Sequence, residues 1–159
     1  MTLAVVAGTN MERGSSEILR PINVIGAARS GTKFLRDLIG TSHACRVVPY
    51  DVNYIWRYRN EKLSHDALTA EDCTQEIAKH IRKHLAATAR RDGERRDDAL
   101  FLVEKTVSNC LRIPFIDQVF PDAVYVHLLR DGREVVESSV RMWRAPVSIA
   151  HLVKKARSF

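Results

Sequence analysis

The fold is decided by residues 22–35, which read INVIGAARSGTKFL. The run before Gly26 is short, apolar and partly β-branched, a pattern typical of a buried strand. Gly26 and Gly31 then enclose a polar turn, and apolar residues recur at helical spacing beyond it, namely Phe34, Leu35, Leu38 and Ile39. The stretch therefore predicts a strand, a glycine-bearing turn and a helix.

The turn is a predicted anion-binding site. The first turn of a helix presents unpaired backbone N–H groups and the positive end of the helix dipole. Arg29 and Lys33 add positive charge, and Ser30 and Thr32 add hydroxyl donors. Because two cations, two hydroxyls and two glycines fall within residues 26–33, we favour a phosphate or sulfate site over a turn with incidental polar residues.

Two known loops can be compared with this turn. The nucleotide-binding pattern G-x-x-x-x-G-K-[ST] has the same glycine spacing, but Thr32 and Lys33 stand in the reverse order here. The turn better resembles the 5′-phosphosulfate loop of the sulfotransferase family, P-R-S-G-T-T, with Ala28 in place of the proline and Lys33 in place of the second threonine. The resemblance implies a donor-binding loop made of Ala28, Arg29, Ser30, Gly31, Thr32 and Lys33.

A second motif lies in residues 120–138. An apolar run, residues 123–129, leads into Arg130-Asp131-Gly132-Arg133, and Ser138 follows Arg130 by eight positions. This arrangement resembles the 3′-phosphate motif of sulfotransferases. The resemblance implies that Arg130 and Ser138 bind the 3′-phosphate of 3′-phosphoadenosine 5′-phosphosulfate (PAPS), and it extends over residues 22–143.

Candidate catalytic residues lie between the two motifs. Lys105 follows the apolar run 99–103 and resembles the family's lysine beside the leaving group. Cytosolic members place a catalytic histidine two residues later, but Val107 occupies that position. Asp51 lies near the position of the glutamate base in members that act on protein tyrosine, so we predict Asp51 as the base, with a turn cap as the equally open alternative. His43 and Glu104 are the substitute candidates, and the resemblance implies no metal.

Strands alternate with helices along the chain, and this alternation predicts an α/β fold. We expect a three-layer parallel sheet with helices on both faces. Arg29, Lys105 and Arg130 each follow a predicted strand, so they should meet at the carboxyl edge of the sheet, where ligands bind in such folds. The resemblance implies the P-loop nucleoside-triphosphate-hydrolase-like architecture of sulfotransferases.

The predicted organisation is a flexible leader at residues 1–20 and a single domain at residues 21–159. Sulfotransferase domains usually continue past the serine motif, so we predict that the C-terminal part is missing. A last short helix is predicted at residues 148–155. The three cysteines form no C-x-x-C pair, and no apolar run has the length of a signal or membrane segment, so a cytoplasmic location is expected.

The predicted function is sulfuryl transfer from PAPS to a hydroxyl or amine of a small-molecule or saccharide acceptor. A non-catalytic nucleotide-binding remnant and a kinase or NTPase on a related sheet are the alternatives. The net charge of +6 suits an anionic ligand but equally a solvated surface. Arginines near Trp56 and Tyr58 permit nucleic-acid stacking, but we predict no nucleic-acid partner and no membrane span, and the sequence leaves the oligomeric state open.

Overall fold

The computed structural model describes residues 2–7, 19–91 and 99–145. These residues form one five-stranded sheet with the strand order β1-β5-β2-β4-β3. Its strands are β1 (Thr2–Ala7), β2 (Arg20–Ile25), β3 (Cys45–Val47), β4 (Phe101–Glu104) and β5 (Val124–Leu129). The last four strands run parallel to one another, so the predicted parallel α/β sheet is confirmed.

The first strand corrects the prediction for residues 2–7, which form part of the predicted leader at residues 1–20. Instead of a flexible leader, Thr2–Ala7 pairs antiparallel with β5 from Thr2 opposite Leu129 to Ala7 opposite Val124, and Arg20 already begins β2. An unpaired edge of β5 would leave its N–H and C=O groups without sheet partners, and a short apolar segment can satisfy them. Residues 8–18 and the helix predicted at 148–155 lie outside the described residues.

Helices cover both faces of the sheet. The structure contains α1 (Thr32–Ile39), α2 (Asn53–Trp56), α3 (Gln75–Arg91), α4 (Ile113–Val119) and α5 (Gly132–Arg144). Two short 3₁₀ helices, Ala70–Asp72 and Val107–Leu111, precede α3 and α4.

The core is divided by the sheet. Val103 packs with Val24 and with the α1 residue Leu35, whereas its neighbour Leu102 packs with Phe115 and other residues of α2, α3 and α4. Successive side chains of a strand point to opposite faces, which explains the two clusters. The predicted three-layer arrangement is therefore present.

A capping box precedes α3. Thr69 and Asp72 form it around the first 3₁₀ helix, and α3 begins later, at Gln75. The buried residues of α3 include a stripe at helical spacing, formed by Ile77, Ile81, Leu85 and Thr88.

Candidate functional site

The loop between β2 and α1 has the strained geometry that its glycines predict. Gly26 and Gly31 have φ angles of 155° and 103°, and Arg29 also has a positive φ, of 69°. The Ser30 hydroxyl donates to the Ala27 carbonyl at 2.6 Å, so its proton closes the turn. The N-cap of α1 is Gly31, and no side chain of the described residues caps this helix. The first-turn N–H groups of α1 therefore lie beside a compact loop, and no side chain in the described part of the chain caps them.

The other predicted loop residues differ in exposure. Ala28, Arg29 and Lys33 are exposed, whereas Ser30 and Thr32 are buried. The cationic side chains thus face solvent and the hydroxyls lie beneath them. The predicted donors Ser30 and Thr32 therefore shape the loop from within, and the exposed cations are the groups open to an anion.

The atoms around Gly26 leave no room for a side chain, so we expect Gly26→Ala to destabilise the loop. An added Cβ would lie 2.7 Å from the Leu128 carbonyl oxygen and 3.1 Å from the Ser30 hydroxyl. The clash and the positive φ should lower the free energy of unfolding by about 2–3 kcal/mol. Urea denaturation measures this change. Gly132→Ala is the matched control, because a Cβ there meets no atom of the described residues within 4 Å. Equal stability of the two variants would contradict the expectation.

The structure brings the two sequence motifs together. The Arg29 Nε donates to the Ser138 hydroxyl at 3.2 Å, and the Arg130 Nη1 donates to the Arg29 carbonyl oxygen at 3.2 Å. Arg29 and Arg130 are separated by 101 positions in the chain. Arg29 therefore contacts both Ser138, through its side chain, and Arg130, through its carbonyl oxygen, where β2 and β5 end.

An acidic side chain also reaches this cluster. The Arg130 Nε donates to the Glu134 carboxylate at 2.7 Å, within the first turn of α5. Both groups are partly exposed, and an exposed i,i+4 ion pair contributes only a few tenths of a kcal/mol. A phosphate that binds Arg130 therefore has to displace only a weak partner.

The two predicted catalytic side chains form an ion pair. The Lys105 Nζ lies 2.8 Å from the Asp51 carboxylate. The lysine side chain is 9% exposed and the aspartate side chain 48% exposed. The amine is thus held inside the edge of the sheet, while the carboxylate is open to solvent. His43 is exposed between α1 and β3, and Val107 begins the second 3₁₀ helix.

Glu104, a substitute candidate for the base, lies beneath this pair. It is only 1% exposed. Its carboxylate accepts hydrogen bonds from the Thr106 hydroxyl at 2.5 Å and from the Asn109 amide at 2.6 Å. Burial raises the pKa of Glu104 to about 7, although the hydrogen bond from Thr106 opposes the rise. Its burial keeps Glu104 from contacting an acceptor directly.

Sequence reasoning missed Arg36, which connects the loop helix to the Asp51 segment. Its Nη1 donates to the carbonyl oxygens of Pro49 at 2.6 Å and Val48 at 3.3 Å. Arg36 is buried, whereas Phe34 and Leu38, two of the apolar residues at helical spacing, are exposed. The sequence around Arg36 does not indicate these contacts, because an arginine on the exposed face of an amphipathic helix has the same spacing.

A second polar network connects the segments that follow Asp51 and Lys105. The Asp66 carboxylate accepts from Arg57 at 2.8 Å, from Ser108 at 2.7 Å and from Asn53 at 3.1 Å. Burial alone would raise the pKa of Asp66, but these hydrogen bonds lower it to about 2. The network joins the start of α2 to the second 3₁₀ helix, so it connects the segments that follow Asp51 and Lys105.

The family follows from comparison with known proteins. The model of the sulfotransferase family matches residues 21–156 of the chain. The chain belongs to the sulfotransferase family. A search of curated proteins gives no match. The matched span contains both motifs and the parallel sheet, so the α/β, P-loop-like architecture of this sulfotransferase-family protein agrees with the predicted fold class. Among the described residues, none of the helices combines the length and the apolar character needed to cross a bilayer.

Proposed function

We propose that this sulfotransferase-family protein transfers the sulfuryl group of PAPS to a hydroxyl or amine of a small-molecule or saccharide acceptor. The proximity of Arg29, Arg130 and Ser138 carries the proposal. Two guanidinium groups and a hydroxyl next to an uncapped helix start suit a ligand with two separate phosphate-type groups.

The donor is proposed to bind along this edge of the sheet. Residues Ala28–Lys33 and the first turn of α1 contact its 5′-phosphosulfate, and Arg130 and Ser138 contact its 3′-phosphate. The exposure of Arg29 and Lys33 supports the first contact. The weak Arg130–Glu134 pair supports the second, because a phosphate with a higher charge can replace the carboxylate.

In the proposed reaction the acceptor oxygen or nitrogen forms a bond to sulfur as the bond from sulfur to the phosphate oxygen breaks. The acceptor proton passes to Asp51, and adenosine 3′,5′-bisphosphate leaves. By analogy with phosphoryl transfer, the transition state is loose and negative charge grows on the leaving oxygen. Lys105, Arg29 and Lys33 are proposed to stabilise that charge. Asp51 suits the base because its carboxylate is half exposed beside Lys105.

The proposed location is the cytoplasm, and we propose no nucleic-acid partner. All three cysteines lie in the described part of the chain, and none of them forms a disulfide. Cysteines outside disulfide bonds are typical of reducing compartments.

Calorimetric titration with adenosine 3′,5′-bisphosphate tests the donor site. We expect binding that is the same with magnesium or with a chelator, because the charges of the ligand are met by arginine and lysine. Adenosine 5′-monophosphate should bind about 10-fold or more weakly, since it lacks the 3′-phosphate. A preference for magnesium-bound ATP would instead favour the kinase or NTPase alternative.

Transfer of labelled sulfuryl from PAPS to panels of phenols, amines and saccharides tests catalysis. We expect a labelled product with at least one class of acceptor. Binding of the bisphosphate without transfer to any class would favour the non-catalytic alternative.

A further inference from the structure

The two residues that flank Lys105 contact each other. The Thr106 hydroxyl donates to the Glu104 carboxylate at 2.5 Å, and it also accepts from the Val52 N–H at 3.1 Å. All three residues are buried. The side chain of Glu104 is thus linked through Thr106 to the backbone directly after Asp51.

These contacts join the dipeptides Asp51-Val52 and Lys105-Thr106 at two points. Asp51 pairs with Lys105, and the next residue of each segment, Val52 and Thr106, forms the second contact. A single contact to the half-exposed Asp51 carboxylate permits many orientations of that side chain, but a second, buried bond constrains the distance between the two backbones. The Thr106–Val52 bond therefore constrains the separation of carboxylate and amine.

The charge of Glu104 decides which way the Thr106 hydroxyl points. A carboxylate only accepts, so it directs the hydroxyl proton toward itself and leaves an oxygen lone pair for the Val52 N–H. A protonated Glu104 can donate, and the hydroxyl proton then loses its acceptor in a buried site. Asn109 donates to the other carboxylate oxygen and fixes the orientation of Glu104.

We propose that Glu104 is a positioning residue for sulfuryl transfer, which sets the Asp51–Lys105 pair through the Thr106 hydroxyl. The proposal rests on the proposed function of that pair. The charged groups around Glu104 are Asp51 before α2, Lys105 on its own segment and Arg112 at the start of α4.

Two substitutions at Thr106 separate the hydroxyl from the packing. Thr106→Val keeps the shape and removes the hydroxyl, whereas Thr106→Ser keeps the hydroxyl. We expect Thr106→Val to lower kcat by about 10- to 100-fold, because a small misplacement of catalytic groups has effects of this size. Thr106→Ser should retain kcat within about 3-fold. Adenosine 3′,5′-bisphosphate should bind equally to both, which also shows that both are folded.

The pH profile provides a readout that a merely structural role would not change. Burial raises the pKa of Glu104 to about 7, so we expect kcat to rise as the pH passes through that value. Glu104→Gln should abolish this pH dependence of kcat, because an amide does not titrate. Its single oxygen can also accept from only one of the two neighbouring donors.

Crystal structures of the Thr106 variants test the inference without any activity. We expect the 2.8 Å contact between Lys105 Nζ and Asp51 to be lost in Thr106→Val and kept in Thr106→Ser. An unchanged contact in Thr106→Val overturns this inference and leaves the proposed function intact. Absence of transfer by the unsubstituted chain counts against the proposed function alone.

Discussion

Arg130→Ala and Arg29→Ala should each weaken the binding of adenosine 3′,5′-bisphosphate by about 10- to 100-fold, the usual effect of losing one charge-assisted phosphate contact. The binding free energies lost in the two single variants should not add in the double variant. The Arg130 side chain donates to the Arg29 carbonyl oxygen, so its removal also loosens the backbone of the loop. The double variant should therefore lose less affinity than the product of the single losses. Calorimetric titration of the four proteins measures both effects.

Arg133→Ala is the matched control for charge. Arg133 is 92% exposed and pairs with Asp131, in the same turn as Arg130. Its removal lowers the net charge by the same amount, but it should change the affinity by less than about 3-fold at physiological salt, where exposed charges are screened. An equal loss in Arg133→Ala and Arg130→Ala would mean that general charge attraction, and not a defined phosphate contact, explains binding.

The sequence carries strong local signals for the loop and the sheet. Gly26 and Gly31 mark positions where the backbone takes positive φ, and apolar runs mark β2, β4 and β5. The order of these elements then places Arg29, Lys105 and Arg130 at one edge, since parallel strands end together. The meeting of the two motifs could thus be predicted without coordinates.

Contacts made by ordinary-looking polar residues could not be predicted in this way. Arg36 and Thr106 have no distinctive spacing, and their roles depend on backbone groups of a distant segment. The pairing of β1 with β5 was missed for a similar reason. A six-residue apolar run gains its stability from the neighbouring strand, and that neighbour is 117 or more positions away in the chain.

The Asp51–Lys105 pair could be predicted from the sequence only in part. The resemblance to sulfotransferases indicated each residue separately, and the structure places them 2.8 Å apart. The roles of both residues stay predictions. The contact alone fits a structural ion pair as well as a base beside a cation, so the distinction requires kinetics.

Lys105→Met is the substitution that makes this distinction, because methionine keeps most of the length of the side chain and removes its charge. We expect kcat for sulfuryl transfer to fall by about 100- to 1000-fold, the range found when one preorganised donor to a developing negative charge is lost. Adenosine 3′,5′-bisphosphate should bind within about 3-fold of the unsubstituted chain, since the ground-state phosphates are met by other groups. Stability should change little, because Asp51 is 48% exposed and water can solvate its carboxylate once the amine is gone.

Lys83→Met serves as the control, since Lys83 lies exposed on α3, outside both motifs. It should leave kcat and affinity unchanged. A structural ion pair would give the reverse result for Lys105→Met, with a lower free energy of unfolding and a nearly normal kcat for the folded protein. Because the carboxylate of Asp51 is open to solvent and the amine is not, loss of the amine removes a preorganised charge from the site and leaves its Asp51 partner solvated. This difference in exposure is why we expect Lys105→Met to lower kcat and to leave the free energy of unfolding nearly unchanged.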